Sequence, residues 1–285
     1  MTDKESKIIN DLIVQALNED LGDGDHTSIA TISSDAKGKV ELIAKEEGII
    51  AGVEVVKMVF MAIDENLKID VLIEDGTSVF PGDRVMIIEG SSRSLLSAER
   101  TALNFIQRMS GIATFTNKVC AQISDLDTKL LDTRKTTPCN RIVEKLAVRI
   151  GGGTNHRFGL YDMIMIKDNH VDFSGGISNA INLTVSYLKD KAKDLKIEIE
   201  VRDFNELNEV LENGNIDRIM LDNFSPDELK KAIDMINGRF ETEASGGISI
   251  DNIREYAETG VDFISVGALT HKINSLDLSL KTIKN

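Results

Sequence analysis

Arg134, Lys135, His156, Arg157 and Lys167 lie within one stretch of an acidic chain, LDTRKTTPCNRIVEKLAVRIGGGTNHRFGLYDMIMIKDNH, residues 131–170. Short apolar runs and glycines flank them, not the polar residues of a solvated helix face. Arginine offers a planar fork to a carboxylate, and lysine a point charge to a phosphate. Each charge-assisted bond contributes about 1.5–3 kcal/mol, so several together hold a di- or trianion. Surface charge is the competing reading. It suits Arg141 and Lys145, which fall on a helix face, and suits Lys167 poorly, because that lysine ends the apolar run MIMIK. Gly151-Gly152-Gly153 reads as a tight loop that aims His156 and Arg157.

Two carboxylates, Glu200 and Asp222, end the apolar runs KIEIEV and RIMLD. They could accept ribose hydroxyls, hold Mg²⁺ through water, or move protons. A salt bridge from Glu200 to Lys167 is the plainer alternative. SGGI (245–248) and SVG (265–267) end the last two apolar runs. Glycines there let backbone N–H groups approach a phosphate, and Asp251-Asn252 fits the helix start that would add its dipole. Asp132, Glu198, His26, His170 and His271 are weaker candidates. His26 reads as a loop residue, His170 as a site or capping residue, and His271 as a possible phosphate contact. No base pairs with Cys139, so it lacks the activation a nucleophile needs. The acids of DLGDGDHTS (20–28) miss the alternating positions of a calcium loop.

These residues require a frame that brings them to one place. The runs KLLD (129–132), MIMIK (163–167), KIEIEV (196–201), RIMLD (218–222), RFETEA (239–244) and FISVG (263–267) alternate with helical segments. They recur at intervals of roughly 20–35 residues, as parallel βα units do, and each carries its chemical residue at the carboxyl end. A (β/α) barrel gathers those ends at one mouth; no G-x-G-x-x-G supports an open dinucleotide-binding sheet. Before this region, apolar spacing predicts a helix over 5–19. Residues 38–90 read as a small, mostly β layer of short strands. A long helix follows over 97–123, with Ser97 as N-cap, Arg100 in its first turn, and Ala102, Phe105, Ile106, Met109, Ala113 and Val119 as its buried stripe.

The chain has 285 residues and a formal charge of −14. That charge argues against nucleic acid and anionic membranes as partners but leaves a small anionic substrate open. Cys120 and Cys139 make no disulfide framework, no membrane-length apolar run occurs, and MTDKESKIIN shows no signal core. A reducing cytoplasmic location is therefore expected.

The motifs EDLGDGDHTS, LSAERTALNFIQRMSGIAT, DTRKTTP, KLAVRIGGGTNHRFGLYDMIMIKDNH, IEIEV, IMLDNF and EASGGIS with its trailing ISVG occur in this order. Together, nearly end to end, the chain resembles the quinolinate phosphoribosyltransferases. One departure is Cys139-Asn140, where the family often has Gly-Leu. The resemblance implies an α/β fold: an N-terminal open-faced α/β sandwich over residues 1–107, to which 272–285 returns, and an incomplete (β/α) TIM-like barrel over 108–271. It implies transfer of phosphoribose from phosphoribosyl pyrophosphate to quinolinate with loss of CO₂, in NAD biosynthesis. A sibling acting on another aromatic acid, or linked to molybdenum uptake, is the alternative. Quinolinate would be bound by Arg100, Thr133, Arg134, His156, Arg157 and Lys167. Phosphoribosyl pyrophosphate would be bound by Lys135, Glu200, Asp222, Ser245, Gly246, Gly247, Val266, Gly267, Ala268 and His271. Lys135, Lys167, Glu200 and Asp222 would carry the chemistry, with Mg²⁺ reached from Glu200 and Asp222 through water or substrate. A homodimer or larger assembly is implied, with Arg100 crossing into the neighbouring site. An aldolase using Lys167 as a Schiff base and a non-catalytic phosphosugar-binding protein are the rivals from other classes.

Overall fold

The computed structural model describes residues 1–283. In chain order the elements begin with α1 (Asp3–Leu21), α2 (His26–Thr31), β1 (Lys37–Ala44), β2 (Gly48–Ile49), α3 (Val53–Ile63), β3 (Lys68–Val71), β4 (Ser78–Val79), β5 (Arg84–Ser91) and α4 (Ser92–Ala121). They continue with β6 (Lys129–Leu131), α5 (Arg141–Ile150), β7 (Ile164–Ile166), α6 (Asp168–Ser174), α7 (Ile177–Asp190), β8 (Ile197–Val201), α8 (Phe204–Asn213) and β9 (Arg218–Asp222). The last are α9 (Pro226–Ile236), β10 (Glu241–Ser245), α10 (Ile253–Ala257), β11 (Phe263–Ser265), α11 (Ala268–His271) and β12 (Leu278–Thr282). They form two compact units. The first holds 1–117, 135–152 and the chain from Leu269 on; the second holds 118–134 and 153–268. The expected boundary at 107/108 falls inside α4, which is a continuous helix.

In the first unit, a four-stranded antiparallel sheet runs β12-β1-β5-β3, so the late strand β12 lies beside β1, Leu42 opposite Leu280. Helix α1 starts at a reciprocal cap between Thr2 and Glu5 and buries Ile9, Ile13 and Leu17, one residue per turn. Three local expectations need correction. His26 is the first residue of α2, not a loop residue, because the Asp25 carboxylate accepts the Ser28 N–H at 3.0 Å and starts a helix there. Helix α4 begins at Ser92, so Ser97 is no cap; its hydroxyl donates to Asp25 instead, at 3.1 Å. The 38–90 region also contains α3, rich in β-branched residues. Its start is capped across 22 residues, where Asp75 accepts the Gly52 and Val53 N–H groups at 2.7 and 2.9 Å.

The second unit is built on a parallel sheet in the order β6-β11-β10-β9-β8-β7. Every strand thus pairs with its sequence neighbour except β6, which joins β11 at the far side. The strands are short and largely buried, and all five residues of β8 are buried. Beside β6, where β7 does not pair, Thr154 forms a parallel bridge to Leu131. Asp132 N–H donates to the Thr154 carbonyl, and Thr154 N–H to the Leu130 carbonyl. A loop segment therefore stands where a closed barrel would have a strand, and the fold is an incomplete TIM-like α/β barrel.

Candidate active site

Parallel pairing places the carboxyl ends of six neighbouring strands around one mouth. Ile166 lies opposite Ile199, so Lys167 follows β7 at the level of Glu200 on β8. Ser245 on β10 is in register with Asp222 on β9. Ser265 is in register with Leu131, and the Val266 N–H donates to the Leu131 carbonyl at 3.0 Å, so Gly267 follows β11 as Asp132 to Arg134 follow β6. Lys167, Glu200, Asp222, Ser245, Gly267 and Arg134 thus form a ring. Each comes from a different strand end.

Lys167 and Glu200 form an ion pair. The salt-bridge alternative for Glu200 is therefore realised, with the lysine side chain still 41% exposed and able to meet an incoming anion. His170 accepts the Lys167 N–H at 2.9 Å and so caps α6. Asp222 accepts from the Asn223 amide at 2.6 Å. Gly246, just past β10, has φ +93°, and a Cβ there would collide with the Asn223 side chain and lie 2.8 Å from its backbone N. Only glycine fits that close approach.

Beneath the mouth lies a second, buried layer. Strand side chains alternate, so Glu198 and Glu243 project to the same side as Glu200 and Ser245, two residues deeper. His156 Nε2 sits between them, 3.0 Å from Glu198 and 3.3 Å from Glu243. Arg218 closes the far side, 3.1 Å from Glu243 and 3.0 Å from Glu241, with its guanidinium 3.9 Å above the Phe263 ring. Both Glu198 and Glu243 are fully buried, and the His156 side chain is 5% exposed. Burial alone would push the His156 pKa down, but the hydrogen bonds and charges of the two glutamates raise it to about 9. Burial, then the neighbouring Glu243 charge, lifts Glu198 to about 7. Glu243 falls below its ordinary value despite burial, held there by His156, Ser265 and Arg218. The Arg157 N–H lies 2.6 Å from His156 Nδ1, a contact that favours a neutral ring. Two carboxylates in a dry site outweigh it, so the His156 pKa stands above its ordinary value.

Asp132, fully buried just past β6, ties the loop to the strand. It accepts the His156 N–H at 2.8 Å and the Asn155 amide at 2.6 Å. Two residues later comes Arg134, and one after His156 comes Arg157, so a single carboxylate fixes the roots of both guanidinium carriers. Arg157 is half-buried and donates to the Met163 carbonyl at 3.2 Å. Burial first, and then the charge of Arg134, lowers its pKa. Two guanidinium groups that repel each other beside a polar mouth are arranged for an anion.

Arg100, Lys135 and His271 belong to the first unit, and all three are exposed. Lys135 accepts from the Thr270 hydroxyl through its carbonyl at 2.7 Å, and Glu144 accepts the Thr137 N–H at 3.1 Å, which shapes the loop that carries it. Lys145 is corrected from surface charge to a buried side chain, 2% exposed, because it lies on the packed side of α5. Arg218 and Glu243 were missed by sequence reasoning, and Glu198 and Asp132 were only weak candidates. The available signal was the alternation of acids in IEIEV and ETEAS, which puts charge on the inward face of strands that should be apolar.

The comparisons with known proteins agree across most of the chain. The model described as "Quinolinate phosphoribosyl transferase, N-terminal domain" matches residues 25–110, and that of the C-terminal domain matches 112–281. The chain is 46% identical to the chloroplastic nicotinate-nucleotide pyrophosphorylase [carboxylating] of Oryza sativa, covering 93% of this chain and 75% of that one. It is 42% identical to a probable nicotinate-nucleotide pyrophosphorylase [carboxylating] of Bacillus subtilis, covering 92% and 89%. The solved NadC structure from Streptococcus pyogenes superposes with a TM-score of 0.91 at 40% identity over 97% of both chains.

Proposed function

This chain belongs to the quinolinate phosphoribosyltransferase family, and we propose that it converts quinolinate and phosphoribosyl pyrophosphate to nicotinate mononucleotide, pyrophosphate and CO₂. The observation that carries this reading is the pairing of two mutually repelling guanidiniums, Arg134 and Arg157, with a glycine cradle at the same barrel mouth. One anionic partner fits a dicarboxylate and the other a phosphate ester.

Arg134, Arg157 and Lys167 bind the two carboxylates of quinolinate, with His156 and the Thr133 segment at their base. Arg100 is supplied by a second copy of the chain in a homodimer or larger assembly. Ser245, Gly246, Gly247, Gly267 and Ala268 seat the 5-phosphate through backbone N–H groups, beside Val266, whose own N–H is bonded to the Leu131 carbonyl, and His271 is assigned to the same anion. Glu200 and Asp222 accept the ribose hydroxyls, and Lys135 meets the pyrophosphate. Hard carboxylate oxygens at adjacent strand ends fit Mg²⁺, and because Glu200 is already paired with Lys167 they would reach it through water or substrate. When bound, Mg²⁺ would neutralise the pyrophosphate as a Lewis acid.

The ring nitrogen of quinolinate is itself a nucleophile. The residues position it against the anomeric carbon as the carbon–oxygen bond to pyrophosphate breaks, and Lys135 and Lys167 offset the leaving charge. The cationic nitrogen of the resulting pyridinium stabilises the electron pair left on the adjacent ring carbon when its carboxylate departs as CO₂, and that carbon then takes a proton from solvent. Among the described residues no helix is long and apolar enough to cross a membrane, and the two free thiols fit a reducing cytoplasm.

The test is direct: supply quinolinate, phosphoribosyl pyrophosphate and Mg²⁺, and measure CO₂ and the mononucleotide. Formation of the mononucleotide from nicotinate in place of quinolinate, without CO₂, would reject the reading. Mixing Arg100→Ala with Arg157→Ala protein should regain turnover through hybrid sites; no recovery at any ratio would reject the shared site.

A further inference from the structure

The buried Glu198–His156–Glu243–Arg218 layer lies beneath the mouth, and it is chemically costly. Replacing a buried ionic layer with apolar residues is often neutral or stabilising, and barrel interiors are usually filled by branched aliphatic side chains. Here the fully buried Glu198 carboxylate faces His156 at 3.0 Å, and the fully buried Glu243 carboxylate stands between His156 at 3.3 Å and Arg218 at 3.1 Å. What the layer does hold is His156, which sits at the root of Arg157, on a loop tied at the same residue by Asp132. We infer that Glu198 and Glu243, backed by Arg218, are positioning residues for the dicarboxylate half of the site: they fix the His156 ring, and through it Arg157, without touching substrate.

This inference rests on the proposed quinolinate reading. The geometry supports it in three ways. Both glutamates approach the same ring nitrogen, so rotation of the imidazole away from one is opposed by the other. Arg218 holds Glu243 from the opposite side, so the acceptor cannot swing toward solvent. The proposed phosphate-binding residues Ser245, which ends β10, and Gly246, just past it, lie two and three residues beyond Glu243, at the mouth, so a fault in the layer should reach the quinolinate side first. The trio His156, Glu198 and Glu243 also has ligand atoms close enough for a metal ion, all within 4.8 Å of one another. A divalent ion there would have to displace the His156 proton and compete with Arg218 for Glu243, and so it is the less favoured occupant.

The experiment compares steady-state constants for the wild-type enzyme, Glu198→Gln, Glu243→Gln and His156→Ala. We expect KM for quinolinate to rise at least about tenfold in both glutamine variants, and KM for phosphoribosyl pyrophosphate to stay within about twofold. Equal rises in both KM values would overturn the inference, because general loosening of the barrel would do that. If His156→Ala leaves the quinolinate KM unchanged, the site reading itself fails. If His156→Ala raises it and the glutamine variants do not, only the positioning role fails. Should the variants not fold, histidine-labelled wild-type protein gives the answer, since the chain has four histidines. The His156 resonances should shift when quinolinate is added and not with phosphoribosyl pyrophosphate alone, and unmoved resonances would overturn the inference. So would a stoichiometric divalent metal whose removal by chelator abolishes quinolinate binding.

Discussion

Arg218→Met should destabilise the second unit by about 3–5 kcal/mol, the usual loss when one partner of a buried pair is removed. The structure sets that magnitude. Glu243 is fully buried, and its carboxylate lies 3.1 Å from the guanidinium. At an effective dielectric constant near 20, that separation corresponds to about 5 kcal/mol of attraction. His156 remains on the other side of Glu243 and offsets part of the loss. The control is Arg254→Met. Arg254 pairs with Asp125 at 2.5 Å, but both side chains are largely exposed, at 42% and 61%, so solvent screens the pair and a much smaller change is expected. Urea unfolding followed by circular dichroism gives the free energies, and hydrogen exchange in β9 and β10 locates the change. The double variant Arg218→Met with Glu243→Gln should recover at least about 1 kcal/mol over Arg218→Met, because the stranded charge is gone. If Arg218→Met costs no more than Arg254→Met, or the double variant recovers nothing, the buried-charge argument is wrong.

The His156 pKa of about 9 against an ordinary 6.5 gives a stability that is fully present below pH 6.5 and is lost as pH rises through about 9. Unfolding free energy should therefore fall between those pH values by up to about 1.4 kcal/mol per unit, and His156→Gln should flatten that slope; an unchanged slope would refute the assignment. Gly246→Ala should raise KM for phosphoribosyl pyrophosphate by about tenfold or more, since its Cβ meets Asn223, and a value near wild type would show that the loop gives way. Cys139 has φ +66°, a conformation that costs a non-glycine residue about 1–2 kcal/mol, so Cys139→Gly should leave stability unchanged or slightly raised. A loss of more than about 1 kcal/mol on thermal unfolding would contradict this.

The barrel was legible because its strands announce themselves: IEIEV, RIMLD and ETEAS end within a residue or two of where the chemistry stands. The mouth residues Lys167, Glu200, Asp222 and Ser245 follow from that alone. What stayed hidden depends on distance along the chain. Nothing near α3 shows that Asp75 caps it, and its valines suit a strand as well as a helix. The burial of Lys145 depends on which side of α5 is packed. Glu243 sits mid-strand, where a carboxylate usually means an exposed face, and only the parallel register brings it to His156. The strand-end rule finds the groups at the mouth and passes over those two residues beneath them.

The pairing of β12 with β1 imposes an order on synthesis. The Val40–Ala44 edge of β1 is made early, but the strand that covers it, Leu278–Thr282, arrives only after the entire barrel has emerged. At about 5–20 residues per second, that edge stays bare for some 10–50 s on the ribosome. The unit begun first is thus completed last, and trimming the chain before Leu278 would leave an open template for strand-to-strand association between molecules.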